Sequence, residues 1–198
     1  MRLILATSNK GKLKEVKEIL PEYDIVTMGE MGINEDIEEN GTTFEENAYI
    51  KAKFIADRLN AVTIADDSGL EVDYLDGAPG IYSARFAGEG ASDKDRNEKL
   101  LSLLKDVPFE KRTARYVCAI AIVFPDGEKH IFKQTCEGYI LDEEVGNGGF
   151  GYDPLFYFPE FKTTLANVPL DVKNTVSHRS KALEELKKFL AERKSKEA

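Results

Sequence analysis

The apolar positions begin as an unbroken block. Residues 2–6, Arg-Leu-Ile-Leu-Ala, predict a short strand buried on both faces. The period then lengthens: Leu13, Val16 and Leu20 recur at helical spacing and Pro21 stops the run, predicting a helix over 10–20. A second strand is expected over 23–28, followed by an acidic, turn-rich loop at 30–41. Phe44, Ala48, Ala52, Ile55 and Leu59 form the stripe of the next helix. It is opened by a capping box of Thr42 with Glu45 or of Thr43 with Glu46. Residues 61–65 predict a strand ending at Asp66-Asp67-Ser68-Gly69.

Residues 77–90 are turn-rich, and 94–104 are helical through Leu100, Leu101, Leu103 and Leu104. A long hairpin is expected from 112–124 and 129–141, with Asp126-Gly127 as a two-residue loop. Its first arm is apolar on both faces, the mark of a central covered strand. A glycine-rich loop at 146–151 follows, and a last helix runs from about His178, capped by Ser177, to a charged tail after Leu190. Strands alternating with helices, a hairpin and a closing helix predict an α/β fold with a mixed sheet. No linker or repeat interrupts the chain, so residues 1–198 are expected to form one domain of two lobes.

Charge narrows the partners. The net charge is −9, against a general nucleic-acid binder, while local Lys and Arg can still converge on a compact anion. The apolar runs are too short to cross a bilayer, and the N-terminus lacks a signal-peptide core, so a soluble, cytoplasmic protein is expected. Two cysteines and two histidines, with no C-x-x-C, leave no structural zinc set. In the expected hairpin Cys118 and Cys136 point to opposite sheet faces, so they are expected as two buried thiols.

Four segments carry candidate chemistry. Leu5 to Leu13, LATSNKGKL, joins a strand to a helix and nearly spells the phosphate-binding G-x-x-x-x-G-K-[ST] loop. Ala6 replaces its first glycine, and Leu13 its metal-holding hydroxyl. The turn offers helix N-terminal N–H groups, the hydroxyls and amide of Thr7, Ser8 and Asn9, and the charges of Lys10 and Lys12. The plainer alternative is that Ser8 or Asn9 caps the helix. A metal would need carboxylates elsewhere, and Glu38, Glu39, Asp66 and Asp67 are the candidates. Gly148 to Pro154, GGFGYDP, lets backbone approach a flat ligand, with Phe150 or Tyr152 as a stacking face. Finally, His178 and Arg179 begin a helix where cations are disfavoured, with Lys173 just upstream.

As a set these motifs resemble the inosine/xanthosine triphosphate pyrophosphatase family. The resemblance rests on Thr7-Ser8-Asn9-x-x-Lys12, Glu38 to Ala48 (EENGTTFEENA), Ala65 to Leu70 (ADDSGL), Gly77 to Arg85 (GAPGIYSAR), Gly149 to Pro154 and Ser177-His178-Arg179. It implies hydrolysis of noncanonical purine triphosphates (ITP, dITP, XTP) to the monophosphate and pyrophosphate. It further implies Mg2+ dependence, a homodimer, and an elongated mixed sheet between two lobes with a cleft. By position, Thr7, Ser8, Asn9, Lys10, Gly11 and Lys12 would hold the triphosphate. Glu38 and Asp67 would engage magnesium, with Asp67 as the base for water. Ser68 would touch substrate, and Phe150, Gly151, Tyr152, Asp153, Lys173, His178 and Arg179 would surround the base. A nucleotide pyrophosphatase of different base preference and a non-catalytic nucleotide-binding module are the alternatives.

Overall fold

The computed structural model describes residues 1–197. Seven strands lie in the order β2-β1-β3-β4-β5-β6-β7. β1 (Arg2–Leu5) and β2 (Asp24–Thr27) pair in parallel, and β1 pairs in parallel with β3 (Thr63–Val72). β4 (Thr113–Val123) and β5 (Lys129–Ile140) follow, and β5 pairs antiparallel with β6 (Phe156–Phe158), as β6 does with β7 (Thr163–Thr164). The sheet is therefore mixed, and helices accompany it. They are α1 (Lys10–Ile19), α2 (Phe44–Leu59), α3 (Asp93–Leu103), the single-turn α4 (Leu170–Lys173) and α5 (His178–Glu197).

The chain divides into two compact units. The first takes residues 1–67, 118–134 and the helix from 178 onward; the second takes 68–117 and 135–177. In the first, Leu3, Leu5, Ile64, Cys118, Ile120 and Ile122 from the strands meet Val16, Ile19 and Leu20 of α1 and Ala182, Leu183, Leu186 and Leu190 of α5. The second has its own core, in which Leu70, Val72, Leu100, Leu104, Cys136, Ile140, Phe156 and Leu165 are wholly buried. Both cysteines are free and buried, one in each core.

Caps explain the helix starts. Asn9 Oδ1 accepts from Gly11 and Lys12 N–H (2.9 and 3.1 Å), so the capping reading of the first turn holds for Asn9. Thr43 caps α2 by accepting from Glu46 N–H at 3.1 Å, while Glu46 reaches back to Thr42 N–H at 2.6 Å, so the box draws on both threonines. Asn60 closes α2 in the left-handed region at φ 48°.

Three local expectations are corrected. β3 does not stop at Ala65 but runs on through Asp66-Asp67-Ser68-Gly69 to Val72. The two carboxylates face nearby cations, so extended backbone carries them through the interior. The hairpin loop has three residues: Phe124 N–H donates to Glu128 C=O, Gly127 N–H donates to Phe124 C=O, and Gly127 sits at φ 89°. Pro125 favours the first position of a turn, and Gly127 supplies the positive φ that a bulged three-residue loop requires. Lastly, the charged tail continues α5 to Glu197, because its Glu-, Lys- and Arg-rich sequence consists of good helix formers.

Candidate active site

β3 delivers two adjacent carboxylates, and a strand turns successive side chains to opposite faces. Asp66 and Asp67 therefore serve different neighbours. Asp66 Oδ2 is 3.0 Å from Lys12 Nζ and 3.3 Å from Arg179 Nε, and Arg179 also pairs with Glu15. Burial alone would raise the Asp66 carboxyl, but Lys12 and Arg179 hold it well below the usual carboxylate range. Arg179 is only 2% exposed, so this residue, expected at the base, is enclosed by two carboxylates that tie α1, β3 and α5 together.

Asp67 presents to α2. Its Oδ1 lies 3.7 Å from Lys51 Nζ, which is 3.0 Å from Glu39 Oε1. Its Oδ2 is buried and has no hydrogen-bond partner among the described residues. Burial pushes the Asp67 carboxyl up to about 6; Lys51 opposes that rise while Glu39 adds to it. Lys51, itself buried, keeps its proton because the facing carboxylates raise its pKa against burial.

Lys51 was absent from the expected site, yet it left a signal. It falls between Ala48 and Ala52 on the apolar face of α2, and a lysine on a core-facing stripe needs a buried anion. Glu15 gives the matching signal beside Val16 on α1, and its cationic partner is Arg179.

Of the adjacent loop glutamates, Glu38 is exposed, while Glu39 is half-buried and paired with Lys51. Among the described residues no group of three or more His, Cys, Asp or Glu could enclose a cation. Magnesium takes one or two carboxylates and completes its shell with water and phosphate oxygens. The bare Asp67 Oδ2 fits such a ligand, because an unpaired buried carboxylate oxygen is costly without a positive partner.

Within the same unit, Thr7, Ser8, Asn9 and Lys10 line a pocket of about 270 Å3. Thr27, Asn34 and Asp36 also line it. Gly11 and Lys12 N–H already serve the cap and Lys12 Nζ serves Asp66, so Lys10 is the cation this turn exposes. His178 starts α5 and is 5% exposed.

The second unit gathers three other expected residues. Asp153 Oδ2 accepts from Lys173 Nζ at 2.8 Å and from Phe150 N–H at 3.1 Å, and its Oδ1 accepts from Tyr116 Oη at 3.0 Å. Lys173 Nζ also stands 4.7 Å from the centre of the Phe150 ring. Asp153 and Lys173 are thus buried supports of the loop, and Phe150 is its half-exposed aromatic face. Tyr152, the other expected stacking face, is buried, and its hydroxyl donates to Ser83 C=O at 2.7 Å. Gly149 adopts φ 68°, and a side chain there would strike Asp153. Ser68 is half-buried on β3.

Known proteins match this chain over nearly all of its length. The chain is 53% identical over 192 residues to the dITP/XTP pyrophosphatase of Desulforamulus reducens, covering 96% of each chain. It is 49% identical to that of Caldanaerobacter subterraneus, covering 98% of each. The solved Ham1 protein of Staphylococcus aureus superposes with a TM-score of 0.89 at 44% identity, covering 98% of this chain and 100% of that one. The family match spans residues 3–189, and the chain belongs to the Ham1 family.

Proposed function

We propose that this protein hydrolyses noncanonical purine nucleoside triphosphates, dITP, ITP and XTP, to the monophosphate and pyrophosphate. One observation carries the reading: a buried carboxylate oxygen of Asp67 stands without a partner beside Lys51 and Glu39. This occurs in a chain whose dITP/XTP pyrophosphatase relatives align almost end to end.

In this proposal Asp67 and Glu39 hold Mg2+; Glu39 replaces the expected Glu38 because Lys51 orients it. Magnesium, when bound, supplies positive charge to the phosphate oxygens. Asp67 takes a proton from the attacking water as the new O–P bond forms at the α-phosphorus and pyrophosphate departs. Lys51 fixes both carboxylates and balances their charge. Thr7, Ser8 and Lys10 face the triphosphate beside the α1 N-terminus, where N–H groups favour anions. Lys12 and Arg179 lock Asp66 and so hold β3 in place. Phe150 stacks on the base, while Asp153 and Lys173 keep its ring in position. Ser68 and His178 complete the substrate contacts. A homodimer and a cytoplasmic location belong to the same proposal, and no helix among the described residues is long and apolar enough to cross a membrane.

Hypoxanthine and xanthine carry a 6-keto acceptor where adenine has a donor. A mispaired buried polar group costs about 1–3 kcal/mol, roughly tenfold or more in discrimination. With Mg2+ present, kcat/KM for dITP and XTP is expected to exceed that for dATP by about tenfold or more. Equal values across the panel would contradict the assigned base preference.

A further inference from the structure

The Phe150 loop is held from behind by helix α3. Asp93 and Asn97 lie four residues apart and so share a helix face. Asp93 Oδ2 accepts from Gly151 N–H at 2.9 Å, and Asn97 Nδ2 donates to Gly151 C=O at 3.3 Å and to Glu144 Oε1 at 2.8 Å. Both backbone polar groups of Gly151 are thereby fixed while it sits at φ 62°. On its other side, Phe150 N–H is taken by Asp153. The anchor is itself braced: Arg96 pairs with the second oxygen of Asp93 and donates to Ala84 and Ala91 C=O at 2.9 and 2.7 Å.

Asn97 is only 2% exposed, and its Oδ1 is buried without a partner among the described residues. As a packing unit that amide is poor, since leucine would fill similar space without an unsatisfied oxygen. What the position uses is the Nδ2 donor. We propose that Asp93 and Asn97 are positioning residues that pre-organise the Phe150 ring for the purine, and so set base discrimination. This rests on the proposed base-stacking role of Phe150. A ring fixed before binding loses less freedom when the base arrives, whereas a loosened one meets that cost at each encounter.

The test compares Asn97→Leu, Asp93→Ala and Phe150→Ala with wild type, measuring Tm and kcat and KM for dITP and dATP with Mg2+. Asn97→Leu is expected to keep Tm at or above that of wild type and kcat nearly unchanged. KM for dITP should rise about tenfold and the dITP preference should fall accordingly. Asp93→Ala, an exposed first-turn change, should move KM and preference the same way, and it decides the matter if Asn97→Leu does not fold. Unchanged KM and preference in the folded variants would overturn the proposal, even if Tm fell. If Phe150→Ala loses the preference while the α3 variants keep it, the positioning role alone fails. If Phe150→Ala keeps the preference, the base-stacking role fails and takes the positioning role with it.

Discussion

Asp67→Asn will lower kcat on dITP by about 10²–10⁴-fold, the usual contribution of a positioned proton acceptor, and will at the same time raise the thermal stability of the metal-free protein. The second half follows from the carboxyl's environment. Burial pushes Asp67 up to about 6 from an unfolded value of 3.8. A carboxyl raised in this way stabilises the fold only while protonated. Its contribution is complete below pH 3.8 and is lost as pH rises through about 6. At pH 7 the ionised group therefore costs roughly 1–3 kcal/mol, which a neutral isostere does not carry. Calorimetry in chelator at pH 7 should show the variant melting roughly 2–12 °C higher. A lower Tm with intact turnover would make Asp67 a structural residue.

Arg179 gives the opposite signature. Removing one member of a buried ion-pair network leaves its partners unpaired, at about 3–5 kcal/mol. Arg179→Met takes a cation from both Glu15 and Asp66, with Lys12 remaining beside Asp66, so a fall in Tm of roughly 6–20 °C is expected. Its dITP to dATP preference, measured below that Tm, should stay near wild type. Preserved Tm with lost preference would return Arg179 to the base, as the sequence motif alone had placed it.

These two residues show what the sequence could and could not carry. Strands and helices were legible where period and composition agreed: the apolar block of β1, the stripes of α1 and α2, and the covered first arm of the hairpin. β3 was cut short because two aspartates in a row read as the end of a buried run. Only the cations 54 and 113 positions from Asp66 in the chain, Lys12 and Arg179, make its continuation understandable. β6 and β7, with three and two residues, are too short to leave a period. Most of the proposed site's residues lay in the motifs, but Lys51 did not, and their division of labour was not legible. Lys51 looked like one more helix residue until Glu39 and Asp67 met it, and the mutual bond of Asp153 and Lys173 was not legible from their motifs.

The central claim is cleavage between the α- and β-phosphates with Asp67 as base. Phosphorus NMR of dITP turnover, with and without Mg2+, tests it most directly. The expected products are dIMP and pyrophosphate in equal amounts, formed only with the metal and not by Asp67→Asn. Release of orthophosphate with dIDP, or equal turnover by Asp67→Asn, would contradict it.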